Sequence, residues 1–248
     1  MSIVKSNTKR TVVPRRRSRS ISKKSKTSLQ NAKSSKHSHK SETELILEPI
    51  QVDSTPIAFT ELGLDSALML GVNDRGYVRT TPIQNAVFSI VQSGHDLIAS
   101  AETGSGKTAA FLLPLMQQLI EREVLLESSE QASIKSNEQV AGYTKILILV
   151  PTRELAVQIE DDFQGFAYHA ALSGVAVYGG VAMEPQERAL RAGVDFVVAT
   201  PGRLLDHIRG AVPNFERLGA LVLDEADRML DMGFWPDVRK IVSALPSR

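Results

Sequence analysis

From about residue 57 onward, short uninterrupted apolar runs alternate with longer stretches in which apolar residues recur at helical spacing. Four runs, at 96–101 (DLIASA), 145–151 (KILILVP), 195–200 (DFVVAT) and 220–223 (ALVL), are apolar at consecutive positions rather than at every second one. That pattern predicts strands buried on both faces, as in a parallel sheet. Residues 173–178 form a weaker fifth. Helices with one apolar face are expected over 107–122, 153–169, 185–192, 203–209 and 228–245. The alternation of strand and helix predicts an α/β fold built on a mainly parallel sheet. Residues 123–143, rich in Ser, Glu, Gln and Asn, break the rhythm and read as a surface insertion.

Composition changes the picture at the amino-terminal end. The formal net charge of +1 hides a division: residues 1–40 hold 13 of the 29 Lys and Arg and no acidic residue, leaving 16 basic against 28 acidic residues, a balance of −12 (16 − 28), in the remainder. Ten of those first 40 residues are Ser, and no period emerges. Residues 1–50 are therefore expected to be a disordered basic arm, with residues 51–248 as one globular domain. The Arg15–Arg17 run and the lysines near 24 suit non-specific phosphate contacts, and equally a solvated tail, a nuclear signal or an organellar transit segment. The absence of cysteine excludes disulfides, thiolate metal sites and cysteine nucleophiles. No apolar run approaches the roughly 18 residues of a membrane span, so no membrane partner is expected and a cytoplasmic home is the default.

The first chemical motif is Ala101-Glu102-Thr103-Gly104-Ser105-Gly106-Lys107-Thr108, which ends a predicted strand and opens a predicted helix. In that context it reads as a phosphate loop: glycines let backbone N–H groups curl around phosphates, and the helix N-terminus adds partial positive charge. Lys107 is expected to reach the outer phosphates, and Thr108 to offer its hydroxyl to Mg²⁺. The second motif, Asp224-Glu225-Ala226-Asp227, follows the apolar run LVL, so its first carboxylates emerge at the edge where nucleotides bind in open α/β sheets. Asp224 suits a metal contact through water, and Glu225 suits the orientation and deprotonation of an attacking water.

The quartet at residues 224–227 resembles the signature of the DEAD-box RNA helicases, and other marks occur in that family's order. They are Phe59, Gly76-Tyr77 with Thr81-Pro82-Ile83-Gln84, then Pro151-Thr152-Arg153-Glu154-Leu155-Ala156, Gly179-Gly180 and Thr200-Pro201-Gly202-Arg203. The resemblance covers roughly residues 57–245. It implies a RecA-like ATP-binding domain, ATP and Mg²⁺ as cofactors, and ATP hydrolysis coupled to RNA binding and duplex remodelling. It also implies that Gln84 reads the adenine edge while Phe59 stacks on the base, and that Thr152, Arg153, Gly180, Thr200 and Arg203 grip the RNA backbone without regard to sequence. Taken singly, Phe59 reads as core, Gln84 as a polar residue at a helix start, and each arginine as half of a surface ion pair. Thr80 stands where many relatives have proline.

In the relatives, a strand ending in Ser-Ala-Thr and a second RecA-like domain follow the helix that here spans 228–245. The resemblance places that strand in mid-sheet, between the phosphate-loop strand and the strand leading into Asp224. Residues 1–248 are accordingly expected to be a fragment or truncated reading frame with a gap in the sheet beside the nucleotide, weak ATPase activity and no unwinding. Three readings follow: the amino-terminal half of an RNA helicase, a stand-alone ATP- and RNA-binding module, or a non-functional remnant.

Overall fold

The structure is a computed structural model that describes the backbone of residues 2–6, 52–128 and 142–246, with side chains over 52–122 and 142–246. Six strands form one sheet: β1 (Ser2–Ser6), β2 (Leu97–Ala99), β3 (Ile146–Leu149), β4 (Gly174–Val177), β5 (Phe196–Ala199) and β6 (Ala220–Leu223). Their order across the sheet is β2-β1-β6-β3-β5-β4. The pairs β6–β3, β3–β5 and β5–β4 are parallel. Among the described residues eight α-helices accompany them: α1 (Ser66–Asp74), α2 (Pro82–Gln92), α3 (Lys107–Ser128), α4 (Arg153–Ala167), α5 (Met183–Ala192), α6 (Pro201–Arg209), α7 (Ala226–Asp231) and α8 (Trp235–Ala244). Among the described residues no helix is long and apolar enough to cross a membrane.

The continuous apolar runs exist because the sheet is covered on both sides. Alternate residues of each central strand enter different cores: Ile146, Ile148, Phe196, Val198, Ala220 and Val222 face one, and Leu147, Leu149, Val197, Ala199, Leu221 and Leu223 the other. The first core is closed by α1–α4, through residues such as Leu68, Val87, Phe111 and Phe163, with Phe163 stacked on Phe196 at 4.3 Å. The second is closed by α5–α8, through Leu190, Leu204, Met229 and Ile241. Each helix thus has one stripe to bury, and the central strands β3, β5 and β6 have no face to expose.

The five strands expected from the sequence are present, β6 with the expected bounds and the other four trimmed at their ends. The helix expected over 228–245 is two helices, because the chain turns at Met232–Phe234, where Gly233 adopts φ +77°. Helix α3 continues to Ser128, into the stretch expected as an insertion; residues 129–141 lie outside the described set. The larger difference concerns the arm and the gap. Ser2–Ser6, expected to be without structure, forms β1 in the slot between β2 and β6, antiparallel to both. Open ladder edges within a sheet covered on both faces would leave backbone donors and acceptors unpaired, and β1 satisfies them. The rest of the expected arm, residues 7–51, lies outside the described residues.

Candidate nucleotide and nucleic-acid site

Register fixes where the chemistry gathers. Ile3 of β1 lies opposite Ile98 of β2 on one side and Leu223 of β6 on the other, so β2 and β6 run parallel and end at one level. Their axes are two strand spacings apart, roughly 10 Å. Leu223 is level with Leu149, Leu149 with Ala199, and Ala199 with Val177. The phosphate loop, the Thr152–Arg153 turn, the Gly179–Gly180 turn, the Thr200–Arg203 turn and Asp224–Asp227 therefore all leave the sheet at one edge. This is where ligands bind in open α/β sheets.

In the phosphate loop, Gly104 and Gly106 hold φ +82° and +87°, a region that turns successive amides toward one concavity and that side chains resist. Lys107 folds back over the loop, and its Nζ donates to the carbonyls of Ala101 at 2.7 Å and Glu102 at 2.8 Å. The Ser105 Oγ is buried without a hydrogen-bond partner, as is the Thr81 Oγ1 that starts α2. A glycine-built curl, a half-buried lysine and an orphaned hydroxyl fit an anionic phosphate group. Thr103 is exposed and Thr108 partly buried in the first turn of α3.

Gln84 is joined to this loop rather than turned toward solvent. Its Oε1 accepts from the Thr81 amide at 2.9 Å and its Nε2 donates to the Gly106 carbonyl at 3.2 Å. A Cβ placed on Gly106 would lie 2.4 Å from that Nε2. Phe59 is 1% exposed and packs against Tyr77, the ring centroids 5.6 Å apart and the rings nearly perpendicular. Thr80, at the proline position of many relatives, bonds through both its amide and its hydroxyl to the backbone of Ile57.

Asp224 is 4% exposed at the end of β6, with its amide donating to the Leu149 carbonyl at 3.0 Å and its Oδ1 accepting from the Glu225 amide at 3.0 Å. Glu225 holds φ +50°, one of two described non-glycine residues in the left-handed region, and its carboxylate pairs with Arg228 at 3.1 Å. Strain of this kind persists where surrounding structure enforces it, commonly at functional sites. Ala226 and Met229 anchor α7 in the second core, while Asp227 is exposed. Among the described residues no three His, Asp or Glu side chains converge as a metal cage. A P-loop Mg²⁺ site needs none, since phosphate oxygens and water fill most of its octahedral shell.

On the other side of the edge, Thr152 caps α4 by accepting from the Leu155 amide at 3.3 Å. Arg153 points outward and pairs with Glu154 at 2.5 Å, which holds the Glu154 carboxyl below the usual carboxylate range. A Cβ on Gly180, which has φ +86°, would lie 3.6 Å from the Arg153 Nη1, so these two motifs meet. Arg203 donates to the Val181 carbonyl at 3.1 Å and to the Gln186 Oε1 at 3.4 Å. Gln186, not singled out from the sequence, also donates to the Tyr178 carbonyl at 3.1 Å and lies 3.4 Å from the buried His207 Nε2. It ties the Gly179–Gly180 turn to Arg203. A signal existed: Gln186 sits one helical turn before Leu190 on the buried face of α5, a polar residue in an apolar phase.

Residues 81–248 match the family model described as DEAD/DEAH box helicase. The chain is 40% identical over 202 residues to DEAD-box ATP-dependent RNA helicase 20 of Oryza sativa subsp. japonica, with 82% of this chain and 38% of that protein covered. It is 42% identical to ATP-dependent RNA helicase vasa of Drosophila melanogaster, covering 77% and 27%, and 42% identical to ATP-dependent RNA helicase DeaD of Escherichia coli K12, covering 76% and 27%. The chain thus spans between about a quarter and two-fifths of the curated relatives it matches. With the glycine-rich loop, the Asp224–Asp227 quartet and the turns at 152–153, 179–180 and 200–203 at one sheet edge, and with the family model covering more than half its length, this chain belongs to the DEAD/DEAH box helicase family.

Proposed function

We propose that this chain is the ATP-binding part of an RNA helicase, in which ATP hydrolysis is coupled to sequence-independent RNA binding and duplex remodelling. The observation that carries this reading is that β2 and β6 end at one level, bringing a glycine-built phosphate loop and a strand-end carboxylate pair to the same edge. Lys107 leaves the carbonyls of Ala101 and Glu102 to bind the β and γ phosphates, and the amides of Thr103–Lys107 complete the cradle. Thr108 and Asp224 would hold Mg²⁺, which when bound neutralises charge on the phosphate oxygens. Glu225, pinned by its backbone and by Arg228, orients the attacking water and accepts its proton. Gln84 reads adenine only by exchanging its bonds to Thr81 and Gly106, which makes it a sensor that links base recognition to the loop.

The RNA-facing surface is the run from Thr152 and Arg153 through Gly180 to Thr200 and Arg203. Such contacts hold the sugar-phosphate backbone, and discrimination for RNA comes from the 2′-hydroxyls. Residues 1–248 alone are proposed to bind ATP and RNA weakly, hydrolyse slowly and leave duplexes unseparated. In relatives a second RecA-like domain supplies arginines for the developing phosphoryl charge, an effect worth about 10³–10⁵ in rate where such fingers are measured. The test is steady-state ATP hydrolysis with and without single-stranded RNA, for residues 1–248 and for a chain carrying a second RecA-like domain. A slow, RNA-independent rate for the first and strong stimulation for the second is expected. Glu225→Gln should lower turnover at least about 100-fold while a fluorescent ATP analogue still binds. RNA-stimulated turnover by residues 1–248 alone would sink the split-site account, and full activity of Glu225→Gln would remove the general base.

A further inference from the structure

Gln186 is a polar side chain on the buried face of α5, 6% exposed, and both ends of its amide are engaged. Its Nε2 donates to the Tyr178 carbonyl at 3.1 Å, which leaves Oε1 facing Arg203 Nη1 and His207 Nε2, each 3.4 Å away. The reversed amide would set its N–H groups against the Arg203 guanidinium and its oxygen against the Tyr178 carbonyl, so the network admits one orientation. His207 is fully buried and its Nδ1 has no partner, so the ring proton belongs on Nε2, where it meets the Gln186 oxygen.

The Val181 carbonyl accepts from Arg203 Nη2 at 3.1 Å. Tyr178 and Val181 flank Gly179–Gly180, so the turn, Arg203 and Gln186 close a ring through three hydrogen bonds. Two of the guanidinium donors are taken within this ring, which fixes the plane of the whole planar group. We propose that Gln186 is the positioning residue that presets Arg203 and the Gly179–Gly180 turn as one clamp for the RNA sugar-phosphate backbone, a role that rests on Arg203 facing RNA. His207 keeps the Gln186 amide in its one orientation. A phosphate that meets a flexible arginine must first order it; here the ordering is complete in the free protein, so more of the contact appears as affinity. Without Gln186, the Tyr178 carbonyl loses this donor and Arg203 keeps only the exposed bond to Val181.

Phenylglyoxal labelling of Arg203 in the RNA-free protein, read by peptide mass spectrometry, measures how firmly the guanidinium is held. Gln186→Met should speed labelling by about two- to ten-fold, the factor that one ordinary hydrogen bond is worth. Gln186→Glu keeps an oxygen toward Arg203 but, ionised, has no donor for the Tyr178 carbonyl, so it should label no faster than the parent. A role in packing alone predicts the same change in both variants; that result, or an unchanged rate in Gln186→Met, overturns the positioning. Should Gln186→Met not fold, Gln186→Glu decides, and faster labelling there overturns it. The second arm is the anisotropy of a fluorescent single-stranded RNA across a salt series. Arg203→Met should bind more weakly, with a log–log salt slope smaller by about 0.7, the share of one phosphate contact. Gln186→Met should lose roughly two- to ten-fold in affinity with Arg203 present and nothing further in the Arg203→Met background. Equal losses in both backgrounds overturn action through Arg203. Parent-like RNA binding by Arg203→Met would instead remove Arg203 from the RNA-facing surface, while labelling would still decide whether Gln186 holds it.

Discussion

Gly106 sits where three demands meet: a left-handed φ of +87°, a carbonyl that accepts from Gln84, and a space that Gln84 Nε2 fills to 2.4 Å. Gly106→Ala strains the backbone by about 1–3 kcal/mol and pushes Gln84 off its bond. We expect at least a ten-fold loss of ATP-analogue affinity by fluorescence titration, together with a lower melting temperature. His207 offers a second residue-scale test. It is fully buried, and burial first, with the charge of Arg203 second, depresses its pKa below the ordinary 6.5. A histidine whose folded pKa lies below its unfolded value adds no pH penalty above about 6.5 and costs stability as pH falls through that value toward the folded one. Urea unfolding of His207→Gln should therefore be flatter between pH 7 and pH 5 than that of the parent, whose stability falls by up to about 1.4 kcal/mol per pH unit. The placement of Lys107, Asp224 and Glu225 at one sheet edge was legible because each motif directly follows an apolar run that reads as a strand. Phe59, read singly as core, is buried against Tyr77, a placement that its apolar character makes legible.

At the scale of elements, the β-edge opposite the nucleotide side is fastened by Asp195. Burial by itself would raise its carboxyl pKa, but the Lys145 ion pair at 2.8 Å and hydrogen bonds from the Ser173 amide and hydroxyl outweigh it and hold it below 3.8. The starts of β3, β4 and β5 are thereby tied together. A carboxylate with a depressed folded pKa stabilises above its unfolded value, and that contribution is lost as pH falls through the folded pKa. Asp195→Asn should cost about 1–2 kcal/mol at pH 7, and the difference from the parent should shrink below about pH 4 in the same denaturant titration. Five strands and the apolar helices could be read from the sequence because continuous apolar runs and helical periods are local. The break between α7 and α8 rests on one glycine at φ +77°, and the extension of α3 to Ser128 on a polar run that helix growth overrode. β1 was not legible at all: five residues with two β-branched side chains acquire a strand only because β2 and β6 leave edges for them.

For the molecule as a whole, ligand binding and folding are linked, since a ligand that recognises only the assembled edge stabilises the fold by mass action. ATP with Mg²⁺ at about 100 times its dissociation constant should contribute about 2.7 kcal/mol and raise the melting temperature by about 5–10 °C for a domain of this size. Lys107→Ala should abolish that shift while leaving the ligand-free melting temperature within a few degrees; an equal shift in both proteins would place the nucleotide elsewhere. The sheet order has a practical consequence as well. Because β1 runs against its neighbours, Ser2 lies level with Ala99, at the mouth of the phosphate loop, and Ser6 lies at the far end of the sheet, level with Ala220. Whatever precedes Ser2 in an expressed polypeptide, an affinity tag or a fluorescent fusion included, emerges among the nucleotide-edge loops. Purification handles belong at the other end of the chain, and an amino-terminal one that depresses ATP binding until it is cleaved would be reporting the direction of a single strand.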